Sequence, residues 1–333
     1  MERTKGKSIS GLLGFAVITA VLAVFAADLP VLAAGLPLVL AYMAGRFSFS
    51  GAALGVAAIA AVVLVRPNAA IALVLAAAPV SLAAAWSVRK RRRFSTSVIF
   101  ASTMALIGVA LVFGFMWLMK GITPVEYIVN STNALFGQLS DSEVTLAYQS
   151  VRMMDLQTGA ITQEALLMTP RAQAISVMIS MLREAANEML VAVVLIWSLL
   201  AGLLCFLIAR RGAVKAGMKV SAIPAFSDWA LPKGFWLAFV GSYAGALLAE
   251  SLDLIPTGLL TPTVVSVYAF VFSVQALSLS DFLFKMRDMR KGLRIVIHVA
   301  AVLLFGTYLM WIGIFENLVQ FRRRSQEKGG EEF

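Results

Sequence analysis

Few residues in this chain combine a reactive type with a setting that would use it. Gln275 lies within the apolar run from about Leu259 to Phe284, and Asp281 sits near the end of that run. A charge at the centre of a membrane helix costs about 2.5–3.5 kcal/mol on insertion scales, so a polar residue there needs a role. Six residues apart, the two side chains stand about 120° apart around a helix, and one helix does not aim both at one ligand. Asp281 suits a local ion pair with Lys285, four residues on. Gln275 suits a hydrogen bond between helices, with contact to a bound solute as the second reading. Glu184 and Glu188, also four apart, can share a helix face toward a pore or a cation; with Arg183 beside them, a solvated helix end is the plainer reading. Gln275, Glu188 and Glu184 are thus the candidate substrate-binding residues.

Cys205 and His298 are each the sole residue of their type, and each lies inside an apolar run. That excludes a disulfide within the chain and argues against a Cys- or His-based metal site or a nucleophile–base pair. A lone histidine in such a run is read as packed and hydrogen-bonded. No cofactor, metal or enzyme activity is expected.

The elements that position these residues are read from composition first. Of 333 residues, 60% are hydrophobic and 14% charged, with a mean hydropathy of +0.87, which marks a polytopic membrane protein in the lipid bilayer. The net charge of +10 comes from short basic clusters flanking apolar runs, not from one patch interleaved with aromatics, so nucleic acid is not the partner. The expected fold is an all-α transmembrane helical bundle of about nine spans, with eight as the alternative.

Arg3, Lys5 and Lys7 precede the run Ile9 to Ala27, which exceeds a signal-peptide core and reads as an uncleaved first helix with a cytoplasmic N-terminus. The segments Val31 to Gly45 and Gly51 to Val65 are short for full spans and must thin the bilayer, borrow flanking residues or stop partway. Ala69 to Val88 ends in Arg89-Lys90-Arg91-Arg92-Arg93, a firm cytoplasmic loop. Ser97 to Met119 runs outward to the polar stretch 121–188, whose acidic excess suits the outer face. Thr169-Pro170 resembles a helix start, and one helix of roughly 40 residues is expected from there to Ala209. Ile175, Met178, Ile179 and Leu182 form one apolar face of it.

That helix leaves the membrane at Arg210, Arg211, Lys215 and Lys219. A turn follows in which Phe226-Ser227-Asp228-Trp229 and Pro232 read as an amphipathic interfacial segment. Segments Gly234 to Leu248, Leu259 to Phe284 and Ile295 to Phe315 complete the bundle. Four parts result: a six-helix bundle over 1–211 including the outer stretch 121–188, a basic loop 212–233, a three-helix extension 234–320, and a charged tail 321–333. On this topology 19 of the 28 Lys and Arg residues lie inside and five outside. The four in the tail break the rule, because nine spans from a cytoplasmic N-terminus put the tail outside.

The passage Ile208-Ala209-Arg210-Arg211-Gly212 with Pro224-Ala225-Phe226-Ser227-Asp228-Trp229-Ala230-Leu231-Pro232 resembles the middle of the YybS-like family of predicted bacterial membrane proteins. Gln275-Ala276-Leu277 with Asp281-Phe282, and Gly313-Ile314-Phe315 ahead of Phe321-Arg322-Arg323, match the same pattern, except that Ala276 stands where glycine is expected. The resemblance marks Arg210, Arg211, Pro224, Phe226, Trp229, Leu231, Pro232, Gln275 and Asp281 as family-motif residues. It implies a bacterial cytoplasmic membrane location. The N-terminal half is similar to substrate-binding subunits of energy-coupling-factor importers, which implies solute capture and a membrane coupling partner docked on small residues four apart, here Ala16 and Ala20. The alternative is a non-transporting membrane scaffold. A polar, water-accessible cavity in the first six segments would favour import, and a tightly packed apolar bundle would favour the scaffold.

Overall fold

The computed structural model describes residues 12–23, 33–61, 67–153, 169–256 and 258–322. Those residues contain helices and no strand: α1 (Leu12–Ala23), α2 (Gly35–Ala60), α3 (Pro67–Arg89), α4 (Phe94–Lys120), α5 (Pro124–Gln138), α6 (Asp141–Val151), α7 (Arg171–Lys215), α8 (Phe235–Ser251), α9 (Leu260–Met286) and α10 (Lys291–Val319), with one 3₁₀ turn at Phe226–Asp228. Most of α3, together with α4, α7, α9 and α10, is long and apolar enough to cross a membrane. The charged N-terminus, the first acidic break at Asp28 and the tail beyond Arg322 lie outside the described residues.

The chain forms two units, one made of residues up to Val112 and from Ala192 onward, the other of Phe113–Val191. In the first, α2 is a helical hairpin. Ser48 has φ 70° and ψ −165°, which breaks the helix two residues beyond Arg46. The arms 35–47 and 50–60 rise only roughly 20 and 16 Å, less than the roughly 30 Å hydrocarbon core. They pack back on each other, with Leu36, Leu40 and Ile59 in one buried cluster. Arg89 at the end of α3 secures the break, donating from Nη1 to Ser48 Oγ (2.8 Å) and from Nη2 to the Ala44 carbonyl (2.9 Å). A broken helix exposes carbonyls, and a guanidinium fork satisfies them. Gly45 lies directly against the Ala209 carbonyl of α7, where a Cβ has no room.

The last helix departs most from a simple span. Phe305 is non-helical (φ −128°, ψ 21°) and divides α10 into arms 291–304 and 306–319, each rising about 21 Å. Along α9, Arg294 meets Asp281, Gly313 sits against the Phe272 carbonyl, and Arg322 meets Ser278. The contacts therefore move along α9 from 281 to 272 and then return to 278. A straight helix would separate Arg294 from Val319 by about 38 Å, whereas Ser278 and Asp281 are about 4.5 Å apart along α9. Both ends of α10 lie at one level. Between the arms, Leu303 and Leu304 are 78% and 72% exposed, as the tip of a hairpin requires.

The second unit is built on short amphipathic helices. Thr123 and Ser140 each form a capping box, with Glu126 and Glu143 at the third helical position returning a carboxylate to the cap N–H (2.7 Å each). Val144 and Tyr148 of α6 bury against Ala174 and Met178 of α7, so the apolar face expected around Met178 is a packing face. Arg171 closes the unit by bonding Asp141 and the carbonyls of Phe136 and Leu139. The hydrogen bonds from Thr123, its backbone first, and from Ser140, its side chain first, hold the Glu126 and Glu143 carboxyls below the ordinary value. A depressed carboxyl contributes stability above its unfolded pKa and loses it as pH falls through the folded one. Carbonyl NMR of ¹³C-glutamate-labelled protein is expected to place both midpoints below the ordinary 4.5, with helix ends fraying on further acidification. Midpoints at or above 4.5 would contradict the capping boxes.

Candidate functional site

The basic elements of the first unit gather at one end. The Ser48 break meets Arg89, Gly212 lies against the Tyr42 carbonyl, and Ser221 Oγ donates to the Arg91 carbonyl (3.0 Å). Arg210 folds back with Nε donating to the Ser221 carbonyl (3.1 Å), whereas Arg211 is exposed. The Phe94 ring packs tilted against Trp229 and edge-on to Phe206. The loop that carries Pro224 to Pro232 is thus a packed junction between α4, α7 and the last helices.

A polar clamp holds this loop. The Arg322 guanidinium donates from Nε to Glu316 Oε1 (2.9 Å) and from Nη1 to the carbonyls of Ser227 (3.0 Å) and Trp229 (2.9 Å) and to Ser278 Oγ (2.8 Å). Ser278 Oγ also lies 2.7 Å from the carbonyls of Phe226 and Trp229. Asn317 Nδ2 donates to the Pro232 carbonyl (2.9 Å), and its Oδ1 accepts from the Trp236 amide (3.1 Å). A 3₁₀ turn has carbonyls that no helix satisfies, and the end of α10 supplies their donors. Arg322, Glu316 and Asn317 are 7%, 4% and 3% exposed, so the ion pair is a buried one. Trp229 Nε1 donates to the Pro224 carbonyl (3.3 Å), which accounts for two motif positions at once. Phe226 packs edge-on to His298, whose ring also lies against Phe284. His298 is packed as expected, but its Nε2 makes no hydrogen bond.

The structure therefore brings together Pro224, Phe226, Trp229, Leu231, Pro232, Gln275 and Asp281, and it adds Ser278, Glu316, Asn317 and Arg322. Of the added residues only Arg322 carried a signal in the sequence, in the Phe321-Arg322-Arg323 match and in a basic cluster on the wrong side of a nine-span topology. Two expectations are corrected. Asp281 pairs with Arg294 across the α9–α10 turn (3.0 Å), not with Lys285, because the returning helix sets a guanidinium against the carboxylate. A double-mutant cycle is expected to give a coupling of about 1 kcal/mol or more for Asp281–Arg294 and near zero for Asp281–Lys285; the reverse order would contradict this pairing. Gln275 is 5% exposed, yet its Oε1 has no partner, so it does not make the expected hydrogen bond between helices through that atom.

Glu184 and Glu188 lie on α7 in the second unit, both exposed, and belong to a different unit from Gln275. Ala16 and Ala20 are half-buried on α1, whereas its free apolar face is formed by Leu13, Val17, Ile18 and Val21. Among the described residues no cluster of three or more His, Cys, Asp or Glu could hold a metal. Cys205 is buried and unpaired.

Apolar helices bound together by a buried polar junction define a multi-pass membrane protein. The family model for "Predicted membrane protein (DUF2232)" matches residues 16–315, and the chain belongs to that family. No curated protein and no solved structure matches the chain.

Proposed function

We propose that this protein is a non-transporting scaffold of the bacterial cytoplasmic membrane. One observation carries the reading. The cavity of about 320 Å³ inside the N-terminal bundle is walled by Ala34, Pro37, Val80, Trp197, Leu204 and Cys205, among other apolar groups, with no charged side chain among the described residues of its lining. A subunit that captures a polar solute needs convergent hydrogen-bonding groups in its cavity. The YybS-like resemblance fits the shared motif loop, while the similarity to importer subunits finds no support in this lining.

The topology that accompanies the proposal has the N-terminus and the tail on the same, cytoplasmic side. Helices α1, α3, α4, α7, α8 and α9 cross; α2 enters and returns, and so does α10. The four basic residues of the tail then join 18 others on the inner face, while Arg46 lies near the turn of the α2 hairpin. This replaces nine crossings by an even number. The acidic stretch 121–188 faces outward, where exposed Leu135 and Leu146 offer contact to an envelope protein.

The test is reconstitution with an energy-coupling module in vesicles, alongside site-specific photo-crosslinking from Leu135 and Leu146 in cells. Discrete crosslinked adducts without ATP-dependent solute accumulation are the expected result. Accumulation of any vitamin or metal ion that depends on this chain would overturn it.

A further inference from the structure

Two adjacent cavities with shared lining residues flank the clamped loop, and neither is explained by holding that loop in place. The larger, about 520 Å³, lies between α4, α7, α9 and the loop; Val98, Leu199, Leu203, Val271, Val274 and Trp229 supply most of its wall. Its size falls within the roughly 300–1,000 Å³ of ligand pockets. Ile99, 65% exposed, sits at its edge, so the cavity opens sideways between helices. The smaller, about 210 Å³, carries the polar side chains of Lys233, Glu316, Asn317, Gln320 and Arg322 in its lining. Ala230, Leu231 and Gln275 line both.

Two buried polar atoms are left without partners here: Gln275 Oε1 and Arg322 Nη2. An unsatisfied guanidinium N–H is a costly thing to bury, and the rest of that side chain is fully engaged. Glu316 is already neutralised by Arg322 Nε and accepts from the Phe321 amide (3.2 Å), which leaves Lys233 as surplus positive charge. Asp228, on the wall of the apolar cavity, accepts from Ser227 Oγ (3.1 Å). An apolar slot ending at a free guanidinium N–H and an ammonium is complementary to a chain with an anionic head, whereas Gln275 Oε1 beside them can only accept and is left for a headgroup hydroxyl.

We infer that this junction is a binding site for one anionic phospholipid of the inner leaflet, with an acyl chain in the slot between α4, α7 and α9. Its phosphate accepts from Arg322 Nη2 and Lys233 Nζ beside Gln275. Such a lipid would complete the polar clamp from the membrane side. The inference is independent of the scaffold reading, since a structural lipid serves a transporter equally well.

Native mass spectrometry of the full chain in maltoside micelles tests it, with dioleoyl phosphatidylglycerol and dioleoyl phosphatidylcholine titrated separately. One molecule of the anionic lipid is expected to be retained, with the zwitterionic lipid held about tenfold more weakly or less tightly still. Val274→Trp and Leu203→Trp, which fill the slot from different helices, should each abolish retention. Lys233→Gln, outside the loop clamp, should weaken it about tenfold while leaving the unfolding transition in place. Equal retention of both lipids overturns the inference, as does undiminished retention by a folded slot-filling variant. Displacement of the lipid by glycerol 3-phosphate alone would show a site for soluble anions and would also overturn it.

Discussion

Arg322→Ala is expected to destabilise the first unit by about 3–5 kcal/mol, the range for removing one partner of a buried ion pair. The substitution strands Glu316, which is 4% exposed and would keep only the Phe321 amide, and it strips donors from the carbonyls of Ser227 and Trp229. Arg322→Lys keeps the charge but not the fork, so it is expected to recover only part of the loss. The double variant Glu316→Ala with Arg322→Ala should lose less than the two single changes added together, because no buried carboxylate is left alone. Reversible unfolding in mixed micelles, followed by Trp229 emission against a Trp229→Phe control, measures all four. An Arg322→Ala protein within about 0.5 kcal/mol of the parent, the usual range for surface changes, would show that the clamp does not hold the loop.

The prediction depends on a residue that hydropathy reads as a topology marker. Positive-inside reasoning treats every lysine and arginine beside an apolar run alike, because insertion depends on charge and not on what the side chain later touches. Arg89 and Arg322 satisfy broken-helix and loop carbonyls, while Arg211 is exposed; the sequence presents all three as basic flanks. The apolar runs themselves were legible, because length and composition determine them. So was the single long helix α7, which no proline interrupts and which holds only Gly202 and Gly212. The break at Ser48 was legible to within two residues, since Arg46 between two short segments demanded a return. The break at Phe305 was not. No proline or charge marks it, and an apolar run reports how much chain is buried, not which way it travels. Asp281 shows the same limit: spacing of four along one helix points to Lys285, but only the returning α10 brings Arg294 within reach. The motif around Pro224 to Pro232 was visible as a pattern, whereas its purpose depended on Glu316, Asn317 and Arg322, at the far end of the chain.

The return of α10 has an all-or-none consequence for sidedness. With Cys205 replaced by alanine, a cysteine introduced at Ser325 is expected to react with a membrane-impermeant maleimide from the same side as one at Ala216, in the exposed turn after α7. A cysteine at Glu184 should react only from the other side, and one at Leu303 from neither, because on the proposed topology the exposed hairpin tip meets lipid and not water. The physical reason is distance. Arg294 and Arg322 meet α9 at positions about 4.5 Å apart along its axis, and an element whose two ends share a level cannot have crossed a hydrocarbon layer of roughly 30 Å. The charge distribution supplies an independent argument, since translocating the tail would carry four basic residues against the rule that the 18 basic residues on the proposed inner face obey. Labelling of Ser325→Cys from the side of Glu184→Cys would mean that α10 spans. The Arg322 clamp would then have to be broken in the membrane, because its partners Ser227, Trp229 and Ser278 lie on elements fixed to the opposite face.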